Sequence, residues 1–143
     1  MLEFYPQTIF YPREAVEQKY ANGDLNSVKA RLDEFVRRHA ETIVEVAKDE
    51  NPSPTREELL DAIRILILSM GTIHPPSEMA DIIREINKEI WYQGEKGERD
   101  TRKIGELWEQ KYALQWREAR LFETFVVLEK NEDHVLDVLG YKN

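Results

Sequence analysis

Residues 100–130 read DTRKIGELWEQKYALQWREARLFETFVVLEK, a stretch with no proline inside it. Trp108, Tyr112, Trp116 and Arg120 recur every four residues, which stacks them along one face of a helix. Leu107, Leu114, Leu121 and Leu128 recur every seven on another side. These two spacings predict one long helix over 100–130 that is apolar across a broad arc. At 1.5 Å per residue, about 30 residues span about 45 Å. A compact chain of this length has a diameter of roughly 37 Å. An unbroken helix would therefore overhang a spherical fold. A break near Gly105, a non-spherical bundle, or a second subunit covering the end would each resolve the mismatch.

The leucine repeat does not make a convincing zipper. Its complementary positions are Ile104, Lys111, Glu118 and Phe125, so pairing two copies along this seam would bury charge. Leucines facing neighbouring helices of a bundle fit better. Arg120 is placed to lie over Trp116, and tryptophan, tyrosine and arginine are the residues that dominate interaction hot spots. The same stripe also fits an internal core with Arg120 reaching out to water.

Other segments read as shorter helices. Residues 1–11 are aromatic and broken by Pro6, which suggests an extended arm carrying Phe4, Tyr5, Phe10 and Tyr11. The arm packs on its own bundle or crosses to a second copy, a low-cost route to a symmetric dimer. Pro12 suits the first turn of a first helix ending near Asn22-Gly23. A second starts after Asp24 or Asn26 and carries Leu25, Val28, Leu32, Phe35, Val36, Ile43 and Val46 as its buried stripe, with His39 inside it. Asn51-Pro52-Ser53-Pro54 ends it.

Thr55 with Glu58 forms a capping box for a third helix, although Ser53-Pro54 offers a start one turn earlier. Its apolar run at 63–68 competes as a strand, but the strong helical start decides for helix. With little polar face after Asp61, this reads as the most buried helix, closed by Gly71. A fourth opens at Pro75-Pro76-Ser77, with Met79, Ile82, Ile83, Ile86, Ile90 and Trp91 on one side, and ends at Gly94 and Gly97. After the long fifth helix, Asn131 restarts the pattern and Gly140 stops it. The fold class is all-α: one domain over 1–143, a bundle of five or six helices with an extended aromatic arm.

Composition narrows the function. The 143 residues carry 20 Lys+Arg against 28 Asp+Glu, a formal charge of −8, with 41% apolar and 34% charged residues. That is globular rather than disordered. The absence of cysteine excludes disulfide scaffolds, thiol catalysis, zinc fingers and iron–sulfur clusters. No unbroken apolar run exceeds four residues, so no membrane span is expected. The start Met-Leu-Glu-Phe lacks the basic and apolar segments of a secretory signal, and a cytoplasmic location is expected.

Charge is uneven. Residues 95–121 hold 7 basic and 6 acidic side chains, while 1–53, 54–94 and 122–143 each net −3. All three tryptophans, Trp91, Trp108 and Trp116, lie in or beside this block. It supports two uses. Trp108, Tyr112, Trp116, Arg117 and Arg120, with the arm aromatics, are candidates for contact with a second copy or another protein. Arg99, Arg102, Lys103 and Lys111 are candidates for weak nucleic-acid binding, with Gly94-Glu95-Lys96-Gly97 resembling a phosphate-clamping loop. Neighbouring Glu95, Glu98 and Asp100 oppose phosphate.

Catalytic signals are thin. His39, His74 and His134 have neither Glu-x-x-His nor His-Glu-x-x-His spacing, and no serine sits in a nucleophile elbow. A metal-dependent enzyme using His74, Glu78 or His134 is the remaining catalytic reading, and no motif implies a cofactor. The expected function is a non-catalytic helical interaction or scaffold module that self-associates as a homodimer.

Overall fold

The computed structural model describes residues 3, 4 and 12–141. They are helical with no strand, so the run at 63–68 is helix. In order come α1 (Arg13–Ala21), α2 (Asn26–Arg38), α3 (Ala40–Glu50), α4 (Arg56–Met70), α5 (Pro75–Glu95), α6 (Thr101–Trp108), a π-helical segment (Glu109–Ala113), α7 (Leu114–Lys130) and α8 (Glu132–Leu139). Counting the uninterrupted run from Thr101 to Lys130 as one, the described residues form seven helices. In that coarse sense the all-α reading holds. Of the aromatic arm, Tyr5, Phe10 and Tyr11 lie outside the described residues.

Local chemistry sets the helix ends. Thr55 Oγ1 accepts the Glu58 backbone N–H at 3.2 Å, and Glu58 Oε1 accepts the Thr55 N–H at 3.0 Å. This reciprocal box settles the start of α4 at Arg56 rather than a turn earlier. Gly71 ends the helix at φ 79°, a left-handed conformation that costs glycine nothing. His74 Nδ1 and Asp100 Oδ1 cap α5 and α6 by accepting the N–H groups of Ser77 and Lys103, each at 3.1 Å.

Two expected helices differ from the sequence reading. The second is divided at His39, whose φ of −107° and ψ of 15° leave the helical region. The apolar stripe keeps its phase across the break, with Val36 and Ile43 seven residues apart and both buried. Periodicity alone therefore could not reveal it. The break lets α2 pack on α8 while α3 packs on α4. The long helix does not break at Gly105, which stays helical where α5 and α6 meet: a Cβ there would lie 3.6 Å from Ile86. Its irregularity is the π-helical segment that follows Trp108.

The chain divides into two compact units. The first comprises Met1–Phe10 and His74–Ala119, and among its described residues it is essentially a hairpin of α5 on α6. Its core joins Ile82, Trp108 and Ala113, with Phe4, Ile86, Tyr112 and Trp116 packed against them. The second comprises Tyr11–Ile73 and Arg120–Asn143, and holds a larger core that includes Leu32, Val36, Ile43, Leu60, Ile63 and Leu128. Among the described residues, no helix is long and apolar enough to cross a membrane.

Replacing Thr55 with Ala removes one half of the α4 box. We expect a loss of about 1 kcal/mol in the urea unfolding free energy.

Acid should also weaken the fold. Glu58 is held below the usual carboxylate range by the Thr55 N–H, then by the Asn51 side chain. Glu98 is lowered by the Asp100 N–H, and Glu129 by the Arg13 guanidinium. Depressed carboxyls favour the folded state above their unfolded pKa of about 4.3, and that contribution disappears as pH falls through the lower folded values. Urea midpoints should hold near neutral pH and drop below about pH 4, and Glu58→Gln should make the drop shallower.

Candidate interaction surface

The aromatic stripe of the long helix turns inward. Trp108 is 0% exposed and has no surface to offer a second chain. Tyr112 and Trp116 are half-buried around it, and the Trp108 and Tyr112 rings stand 6.0 Å apart at 47°. Phe4 meets Tyr112 edge-on at 5.6 Å. The π-helical turn explains why Ala113 joins them. Trp108 and Ala113 are five residues apart, a spacing that an α-helix would rotate by about 140° and a π turn brings back onto one face.

Polar groups share this interior. Glu89 and Gln93 of α5 are fully buried, and Gln93 Nε2 donates to the Glu3 carbonyl at 2.6 Å. Trp108 Nε1 and Gln93 Oε1 have no hydrogen-bond partner among the described residues. The sequence reading did not anticipate Glu89 or Gln93 inside, having set the α5 core face by its isoleucines and Trp91. The buried arc of α5 is Glu78, Ile82, Glu89 and Gln93, of which Ile82 belongs to the expected face. Their spacing of four, seven and four residues keeps one helical phase, and that was the available signal.

This rotation brings Met79, Ile83 and Trp91 to the surface, while Ile86 stays packed against the core. Met79 is 61% exposed, Ile83 50% and Trp91 67%. An open groove of about 510 Å³ beside Trp91 is lined by Arg84, Asn87 and Lys88. Arg84 pairs with Asp81 at 2.8 Å and Lys88 with Glu85 at 3.0 Å. In the first unit Leu114 is also exposed, whereas Leu128 is enclosed in the second. Helix α4, expected to be the most buried, exposes Ile65, Leu68 and Met70. Its apolar residues go nearly all the way round, and its packing partners do not.

Three of the cationic candidates pair with nearby carboxylates. Arg102 pairs with Glu106 at 3.1 Å, Lys103 with Glu98 at 3.5 Å and Arg117 with Glu78 at 3.4 Å. Lys111 lies 5.1 Å from the Phe4 ring centroid. Arg99 is exposed beside Gly94, and the Arg120 carbonyl accepts the Thr124 hydroxyl at 3.0 Å. The Gly94–Gly97 segment is no open loop: α5 runs through Glu95. The N–H groups of Lys96, Gly97 and Glu98 donate to Gln93 or Gly94 carbonyls in ending it.

His74 caps α5, while His134 pairs with Asp33 at 2.8 Å in the second unit. Among the described residues, no group of three or more His, Asp or Glu side chains is placed to hold a metal ion.

Compared with known protein families, curated proteins and solved structures, the chain matches none of them.

Because Trp108 is structural, Trp108→Ala should cost about 3–5 kcal/mol of unfolding free energy, measured by urea denaturation of dilute protein.

Proposed function

We propose that this chain is a non-catalytic helical interaction module that self-associates. The observation supporting this reading is the exposed face of α5, where Met79, Ile83 and Trp91 lie within about four turns of one helix. Tryptophan is the most enriched hot-spot residue, and Trp91 stands at a groove rather than on a flat surface. Burying each large apolar side chain is worth about 1.5–3 kcal/mol. Around the helix Ile83 lies about 40° from Met79 and about 80° from Trp91, and this exposed apolar arc gives a second chain reason to bind.

This moves the expected contact from Trp108, Tyr112 and Trp116 to the opposite side of the hairpin. Nucleic-acid binding through Arg99, Arg102, Lys103 and Lys111 has less support, because Glu106 and Glu98 stand beside Arg102 and Lys103 and oppose phosphate.

Sedimentation velocity across a concentration series tests the reading. At roughly 100 µM a contact worth about 5.5 kcal/mol is half populated, so the wild type should show dimer there. Ile83→Ser with Trp91→Ser should sediment as monomer with unchanged helical circular dichroism. A wild type that stays monomeric over the whole series overturns the proposal.

A further inference from the structure

We infer that the end of α5 and the π-helical turn form a docking site for an extended peptide segment in which an acidic residue is followed by an aromatic one. The chain's own Glu3 and Phe4 are the resident occupant, and a segment of another protein with the same chemistry displaces them. The site uses none of Met79, Ile83 and Trp91, so it stands or falls apart from self-association.

Three features of the resident dipeptide are each met by a side chain. The Glu3 carbonyl accepts from Gln93 Nε2 at 2.6 Å, and Lys96 Nζ lies 3.5 Å from the same oxygen. The Glu3 carboxylate pairs with Lys96 Nζ at 3.2 Å. The Phe4 ring stands edge-on to Tyr112 at 5.6 Å, with the Lys111 ammonium 5.1 Å from its centroid. Backbone, charge and ring are read separately. Extended peptides are recognised in this way, with main-chain hydrogen bonds for affinity and side-chain contacts for selectivity.

The site is built beyond what packing requires. Gln93 is fully buried, and an apolar side chain in its place would have no hydrogen bond to find. Its amide instead donates to the backbone of the segment laid against it. Lys111 and Tyr112 both belong to the π-helical turn Glu109–Ala113. Such turns are rare and gather at functional sites.

The resident is also an incomplete ligand. Phe4 packs against the core that holds Trp108. Yet Trp108 Nε1, a donor, and Gln93 Oε1, an acceptor, have no hydrogen-bond partner among the described residues. An extended backbone offers a C=O and an N–H at each residue, the groups these two atoms lack. A competitor that supplies either gains an interaction the resident does not make. The hold on Glu3 is light in its charged part, since the Glu3 side chain is 87% exposed and pairs of that kind add little.

Fluorescence anisotropy with a labelled peptide of residues 1–10 tests the site on the full chain. Glu3→Lys with Phe4→Ser disables the resident. That variant should bind the peptide roughly tenfold more tightly than the wild type, whose tethered segment competes at high effective concentration. Lys96→Glu in the otherwise natural chain leaves both cores untouched, and it should prefer a peptide carrying Glu3→Lys over the natural peptide by roughly tenfold. Both variants should keep the wild-type circular dichroism. Tighter binding after loss of the resident, together with the reversed charge preference, supports the proposal. A peptide that binds neither variant overturns it, as does one that binds the wild type as tightly as the resident-disabled chain. A Lys96→Glu chain that does not distinguish the two peptides also overturns it, and decides alone if the double substitution costs helix.

Discussion

Enclosing Trp108 is the constraint on which the first unit is built. An indole of that size needs apolar neighbours on every side, and a two-helix hairpin has few to give. The unit meets the demand with Ile82 from α5, with Ala113 brought round by the π-helical turn, and with Phe4, Tyr112 and Trp116 around the edge. Once Ile82 must face Trp108, the rotation of α5 is set. Glu89 and Gln93 go inward on the same phase, and Met79, Ile83 and Trp91 go outward.

The inward polar groups show the cost of that rotation. A buried amide or carboxylate is tolerated where hydrogen bonds replace water. Gln93 gains one by holding the Glu3 carbonyl, which ties the chain's beginning to a helix ninety residues away. Isoleucine at these positions would have made a plainer core. The outward apolar residues are the other half of the exchange, because a helix packed chiefly on one neighbour leaves a wide arc of its surface uncovered. In α5 that arc carries Met79, Ile83 and Trp91.

The second unit follows a different logic. Its helices surround a larger core, and the division at His39 frees α2 and α3 to take different partners. Surface ion pairs such as Arg13–Glu129, Lys19–Glu123 and the Arg56 contacts to Asp133 and Glu132 link helices distant in sequence. Pairs this exposed add little stability each, so the apolar core carries this unit.

The helical class and most helix boundaries were legible in the chain itself, because capping and termination are local chemistry. Thr55 and Glu58 find each other within one turn, Pro75 can only begin a helix, and Gly71 and Gly140 accept left-handed backbone wherever the fold places them. The interruption at His39 and the π-helical turn at Glu109–Ala113 were not legible, since neither disturbs the repeat of apolar residues. Nor was the choice of faces. In α5 and α4 apolar side chains surround much of the axis, so periodicity admits several rotations and only the neighbouring helix selects one. Trp108 and Trp91 are the same residue in adjoining helices: local sequence made both helical, and packing put one in the core and the other in water.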